Sequence, residues 1–138
     1  MAGLLNNLGH LQVKLKRLDL ALGAFQSAAR VFEEIGDRVN AAWQEGNCGS
    51  VCRDRGEHDE ALDHYHRALA VFGELGPRVG VVDQASNIGY IHAMKGEVPE
   101  AIGWFEKARQ GYEALGEKEK AGLAARNIEV LRAHSGKP

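Results

Sequence analysis

The sequence has few of the features that mark specialised chains. Two cysteines among 138 positions exclude a disulfide framework. Seventeen Lys plus Arg against nineteen Asp plus Glu leave a formal charge of -2. The two signs are interleaved along the whole chain, so no basic arm or stripe offers nucleic acid a footprint. Apolar runs extend only a few residues, far short of the roughly 20 that span a bilayer. Met1 to Arg17 lacks a secretory core and cleavage site. The expected location is therefore cytoplasmic, with no membrane insertion. Hydrophobic residues at 44% and charged residues at 26% are ordinary for a chain that buries a core, and the length suits one domain.

What is present is a repeat. Asn7, Asn47, Asn87 and Asn127 recur at an interval of 40, as do Gly9, Gly49 and Gly89. The same interval carries Ala21, Ala61, Ala101; Leu22, Leu62, Ile102; Phe25, Tyr65, Phe105; Ala28, Ala68, Ala108; and Gly36, Gly76, Gly116. So many columns in phase without a gap set the architecture before any local assignment. Within a unit the apolar steps are three and four, as in Cys48, Val51, Cys52 and then Leu62, Tyr65, Ala68, Leu69, Phe72. That is the face of an amphipathic helix rather than of a strand.

Two helices per unit follow. Gly56 and Gly96 stop the first and Gly36, Gly76 and Gly116 the second, as left-handed C-terminal residues; Lys16 breaks the first of these columns. Asp19 and Asp59 are expected to open the second helix, with Pro99 in their place in the third unit. The expected helices run over about 2–15, 19–35, 39–55, 59–75, 79–95, 99–115 and 118–134. Small residues let helices approach closely, so Gly9, Gly49 and Gly89 should cross Ala21, Ala61 and Ala101. Phe25, Tyr65 and Phe105 should fill the wider space beside that crossing, and Ala28, Ala68 and Ala108 should meet the next unit.

These columns resemble the tetratricopeptide repeat over essentially the whole chain. The resemblance is carried by Asn87-Ile88-Gly89-Tyr90, then Gly96-Glu97-Val98-Pro99-Glu100-Ala101-Ile102, then Phe105 and Ala108. The 40-residue spacing, with Ile35-Gly36-Asp37-Arg38 at the unit end, is similar to the longer repeats of Pins-type polarity adaptors. The family's tryptophan-like position holds Leu5, Glu45, Ala85 and Ala125 here, and its tyrosine-like position Gln12, Cys52 and His92. HEAT repeats share the period but lack this glycine and alanine arrangement. The resemblance implies an all-α superhelix in one domain over 1–138: three helix-turn-helix repeats (about 1–38, 39–78, 79–117) and a capping helix over about 118–134. Lys120, Arg126, Glu129 and Arg132 suit the cap's exposed side. Met1 to Leu5 enters the first helix without a capping residue, which suggests a longer array or an end that self-associates.

In the family the first helix of each pair lines a concave groove, and solenoids bind along such surfaces. Asparagines at the column of Asn7, Asn47, Asn87 and Asn127 contact ligand backbone in the family, since an amide both donates and accepts. The competing role is tying neighbouring helices together. On the same face lie Trp43, Ser50 and Asp54, then Asp83, Tyr90 and Met94, then His10 and Lys14. Trp43 and Tyr90 are the natural hot spots, with packing against an adjacent helix as the alternative for Trp43. Arg38 and Arg78 recur in phase and could pair with ligand carboxylates or stand as solvated charges. A carboxylate clamp is incomplete, because its lysine column reads Asn6, Gly46, Ser86 and Arg126.

Cys48 and Cys52, with His58, His64 and His66 nearby, raise the question of zinc. Both occupy core columns, so burial as small apolar residues is the simpler account and no metal or cofactor is expected. No nucleophile constellation or phosphate-cradling loop accompanies the histidines and acids. The expected function is a non-catalytic adaptor or scaffold for a protein or peptide partner, holding a peptide or a partner helix in the concave groove. The alternatives are a sensor module of a larger protein that binds a signalling peptide, and a self-assembly module.

Overall fold

The computed structural model describes residues 1–135. Seven helices occupy them: α1 (Ala2–Lys14), α2 (Leu18–Glu34), α3 (Arg38–Asp54), α4 (His58–Leu75), α5 (Arg78–Met94), α6 (Val98–Ala114) and α7 (Lys118–Ser135). No strand occurs among the described residues, and every expected helix is present to within a residue or so at each end. The chain divides into two compact units, Met1–Gly76 and Pro77–Pro138. In the first, α1 packs on α2, α2 on α3 and α3 on α4; in the second, α5 packs on α6 and α6 on α7. None of the helices is long and apolar enough to cross a membrane.

The helix ends follow one local rule with two exceptions. Gly36, Gly56, Gly96 and Gly116 have φ of 80°, 80°, 79° and 76°. In each turn the next amide reaches back to close the motif, as Asp37 N–H does on the Phe32 carbonyl at 2.8 Å and Glu57 N–H on that of Cys52 at 2.8 Å. Lys16 makes the same turn with φ of 58°, its successor Arg17 donating to the Gln12 carbonyl at 2.8 Å. A side chain in the left-handed region costs about 1–2 kcal/mol. Part of that is offset because glycine loosens the unfolded chain. Lys16→Gly should therefore raise stability by about 0.5–1 kcal/mol, read as a higher urea midpoint at constant slope.

Gly76 is the second exception and corrects the expectation of a left-handed residue. Its φ and ψ are -138° and -156°, fully extended. Pro77 is the cause, because a proline ring disfavours helical backbone in the residue before it and pushes that residue to extended values. The expectation for Asp19 and Asp59 is corrected too. The N-cap residues are Arg17 and Glu57, without side-chain capping bonds, and α2 and α4 begin at Leu18 and His58. The preceding turn closes early enough to place each aspartate in the first helical turn, where a negative charge still suits the helix dipole. Pro99 lies in the first turn of α6 as expected. The side-chain cap that does form is at Asp37, which accepts from Asn40 N–H at 3.1 Å and from Asn40 Nδ2 at 2.7 Å. The Asn40 side-chain bond, helped by the backbone one, lowers the Asp37 carboxyl below the usual carboxylate value.

Packing concentrates on the repeated small and aromatic columns. Ala21, Ala61, Ala101, Ala28, Ala68 and Ala108 are all fully buried, as are Phe25, Tyr65 and Phe105. The aromatic ring itself is what the repeated glycine admits. A Cβ on Gly9 would lie 2.5 Å from the Phe25 ring, on Gly49 2.8 Å from Tyr65, and on Gly89 3.0 Å from Phe105. The glycine column thus serves the aromatic column directly, a closer coupling than the glycine-on-alanine crossing expected from spacing. Ala21 and Phe25 of α2 form one cluster with Cys48 and Val51 of α3. Ala108 and Tyr112 of α6 meet Ala121 and Ala124 of α7, so Ala108 does touch the next first-type helix. Gly111, outside the repeated columns, faces the side chain of Val82 closely.

Candidate functional site

The asparagine column sits on one face of the first-type helices. Asn7 is exposed, while Asn47, Asn87 and Asn127 are half-buried. In the first unit Asn6 Oδ1, on α1, accepts from Gln44 Nε2 at 3.0 Å and from Asn47 Nδ2 at 3.4 Å. Asn47 Nδ2 also donates to Gln44 Oε1 at 3.3 Å, closing a three-amide cluster between α1 and α3. In the second unit Asn127 Nδ2 donates to the Tyr90 hydroxyl at 3.0 Å, joining α7 to α5, and Asn87 Nδ2 reaches Gln84 Oε1 at 3.5 Å. Asn47 and Asn127 therefore tie first-type helices together through their amide N–H groups, whereas the bond of Asn87 stays within α5. Each amide carbonyl has two lone pairs to offer on the same face.

Gln44 and Gln84, at 5% and 2% exposure, were not among the expected site residues. They recur at the interval of 40, and that recurrence is the signal that could have found them. A buried amide left unpaired costs about 1–3 kcal/mol, which explains why Asn6 and Asn47 are drawn to Gln44. Asn6 enters the site as an acceptor.

One residue column past the asparagines lies on the aromatic core. The His10 ring stands edge-on to Phe25 at 5.1 Å, the Ser50 hydroxyl bonds that of Tyr65 at 2.9 Å, and Tyr90 stands edge-on to Phe105 at 5.1 Å. Burial raises the Tyr65 phenol above its ordinary pKa, against the opposing bond from Ser50, so that hydroxyl stays neutral. In the first unit these columns open into a cleft of about 220 Å³ between α1 and α3. Its walls are His10 and Val13 on one side and Asn47, Ser50, Arg53 and Asp54 on the other, with Phe25 and Val51 at its base. Arg53 Nε pairs with Asp54 at 3.2 Å along its rim.

Other expected positions lie apart from this cleft. Trp43 turns toward α4 and packs on Phe72 with ring centroids 4.6 Å apart, the adjacent-helix alternative. Asp83, one repeat later, likewise faces the paired helix, accepting from the Tyr112 hydroxyl. Arg38 forms a two-point pair with Glu74 at 3.4 and 3.3 Å on an exposed surface. Such pairs contribute little energy in water. Arg78 is exposed at the first residue of α5, and Met94, 54% exposed, is the last residue of that helix.

Cys48 and Cys52 are both buried free thiols. Burial, helped by the Glu45 charge, pushes the Cys48 thiol up to about 12, and burial chiefly raises Cys52 as well. Metal binding and nucleophilic attack both need thiolate, so this environment is that of packing residues. Glu45, a departure from the family's tryptophan-like position, accepts from His64 Nδ1 and Arg67 Nε, each at 3.0 Å. Burial opposes its charge, but the bonds from His64 and Arg67 outweigh it and hold the carboxyl below its ordinary value.

A sequence model of the family described as tetratricopeptide repeat matches residues 1–74. No curated protein matches the chain by sequence. Among solved structures, BtubC from P. vanneervenii aligns over 99% of this chain and 65% of its own, at 19% identity and a TM-score of 0.70. PcrH in complex with the chaperone binding region of PopD aligns over 96% of this chain and 92% of its own, at 19% identity and a TM-score of 0.78. A Rap protein complexed with Competence and Sporulation Factor aligns over 98% of this chain and 38% of its own, at 19% identity and a TM-score of 0.81. At such identities the likeness is one of fold. The chain spans under two thirds of BtubC and under two fifths of the Rap protein.

Proposed function

This chain belongs to the tetratricopeptide repeat family, and from that premise we propose that it is a non-catalytic adaptor whose first-type helices hold a peptide segment of a partner protein. The observation that carries the reading is the cleft between α1 and α3, where Asn47, Ser50 and His10 stand over an apolar base of Phe25 and Val51. An extended peptide brings one unpaired donor and one unpaired acceptor per residue. The amide carbonyl of Asn47 and the ring nitrogens of His10 offer partners to both, while Val13 and Val51 offer cover for a small apolar side chain. In the second unit Asn87, Tyr90 and Asn127 form the corresponding face on α5 and α7. Arg38 and Arg78 stand outside both faces and contribute charge around them. Support also comes from PcrH, a fold neighbour that holds a region of PopD.

The test selects peptides from a displayed random library on the wild-type chain and measures their affinity by fluorescence anisotropy. Asn47→Ala should weaken the selected peptides by about tenfold, roughly 1.4 kcal/mol, with helical circular dichroism retained. Affinity that is unchanged in both Asn47→Ala and His10→Ala would put the binding surface elsewhere.

The sensor alternative draws on the Rap protein, a fold neighbour complexed with Competence and Sporulation Factor. Under that reading a short peptide would bind the same face and switch an attached neighbour. Its mark would be a peptide of fewer than about ten residues that binds as tightly as the longer ligands containing it, because a sensor needs no extended contact.

A further inference from the structure

The outward face of α1 is a leucine stripe left exposed among the described residues. Met1, Leu4, Leu8, Leu11 and Leu15 are 85%, 70%, 41%, 51% and 51% exposed. Their steps of three, four, three and four are those of a coiled-coil seam. The stripe is no scatter of single surface leucines, since the five occupy one face over the whole helix. The repeat shows what such a face does when covered. Forty residues on, Leu8 and Leu11 become Cys48 and Val51, which are buried against Ala21 and Phe25 of α2. At the other end, Ala124 and Ile128 of α7 hold the columns of Leu4 and Leu8 and are buried against α6.

We propose that the α1 stripe is a self-association surface and that its occupant is the α1 stripe of a second copy of this chain, related by a two-fold axis. Three features single out that occupant. The seam spacing is self-complementary, so two identical faces interdigitate knob into hole without a second, matching surface. The positions flanking the leucines are Leu5, Asn7, Gln12 and Lys14, and α1 contains no acidic residue; Lys14 lies at one end of the helix, so an antiparallel pair keeps the two copies of this charge at opposite ends of the seam. The open side of α7, the competing docking surface for a head-to-tail contact, interrupts Leu123 and Val130 with exposed Lys120, Arg126 and Glu129. Two stripes together bury on the order of 1,000 Å², the low end for a specific interface. The dimer is accordingly an equilibrium in the micromolar range rather than an obligate assembly.

The surface is separate from the α1–α3 cleft, so it stands or falls independently of the peptide reading. Sedimentation equilibrium of the full chain from about 1 to 100 µM, spanning the micromolar dissociation constant expected of so small an interface, tests it. Wild type should rise from 15.0 kDa toward twice that mass and stop. Leu4→Glu combined with Leu11→Glu, both at exposed positions, should hold the monomer mass throughout with unchanged circular dichroism. A wild type that stays monomeric, a double variant that still dimerises, or a mass that grows past the dimer would each overturn the proposal.

Discussion

Gly49→Ala should destabilise the chain by up to about 2 kcal/mol, although alanine is the better helix former. The added Cβ would lie 2.8 Å from two ring carbons of Tyr65, a separation that forces something to move. The ring has little freedom to do so: it is fully buried, and its hydroxyl is held by Ser50 at 2.9 Å. Relief must come from separating α3 and α4, and such overpacking costs typically 1–3 kcal/mol. The helix-propensity gain of about 0.8–1 kcal/mol from replacing glycine offsets only part of a strain at the upper end of that range. Gly23→Ala is the matched control. Gly23 lies within α2, and a Cβ there meets nothing within 4 Å, so the propensity gain stands alone and stability should rise by about 0.5–1 kcal/mol. Thermal melts of the two variants should therefore move in opposite directions. Equal shifts of one sign would mean that the glycine column does not serve the ring.

That pair of glycines shows what a repeating sequence conveys. Gly49 and Gly23 are the same residue inside two helices, and the interval of 40 distinguishes them: Gly9, Gly49 and Gly89 fill their column, whereas the column of Gly23 admits Asp63 before returning to Gly103. Periodicity reports positions under a common physical demand, which is why the helix count, their lengths and the buried alanines and aromatics were legible. The failures arose where a neighbour altered the demand. Gly76 stands in the column of left-handed glycines, yet Pro77 forces it extended. Lys16 falls where the other units have glycine and takes the left-handed turn nonetheless, because the back-bonds from Arg17 and Lys16 fix the chain reversal. Asp19 and Asp59 have the chemistry of caps but stand two residues past the cap positions.

The candidate site was legible to a different degree. Helical spacing puts Trp43, Asn47 and Ser50 on one face, but it fixes only the direction of each Cα–Cβ bond. The rotamer then decides, and Trp43 gains more by covering Phe72 than by standing in water. Ser50 is drawn to Tyr65, and Asn47 to Asn6 and Gln44. The pull of Gln44 was the least visible of these, because a glutamine reads as a surface residue until its burial is known. Once buried, its amide organises its neighbours: Asn6 and Asn47 are positioned by its need for partners. Asn47 and Asn127 thus carry a structural role that fixes their side chains in place, and under the proposed reading a side chain already fixed would lose less entropy on meeting a peptide backbone.

Tyr65→Ala should have the largest single effect on stability, about 3–5 kcal/mol for a fully buried aromatic truncated to alanine. That is a large fraction of the 5–15 kcal/mol that holds a typical domain. The loss has two parts. The ring leaves a void between α3 and α4 beside Gly49, and the Ser50 hydroxyl loses its partner, the smaller part because Ser50 faces the cleft and can turn to water. The coupling with Gly49 is the stronger test of the packing account. In the Tyr65→Ala background the atoms that a Gly49 Cβ would strike are gone, so Gly49→Ala should change sign, filling part of the void and recovering about 0.5–1 kcal/mol of helix propensity. Urea unfolding of the four members of this cycle should give a coupling energy of about 2 kcal/mol or more, as expected for residues in direct contact. Where Tyr65→Ala leaves too little stability for a baseline, Tyr65→Leu removes the same ring edge and keeps more of the buried volume. Additive effects, with Gly49→Ala equally costly in the presence and absence of the ring, would show that the glycine is required by the helix crossing itself and not by the aromatic column that follows it sixteen residues on.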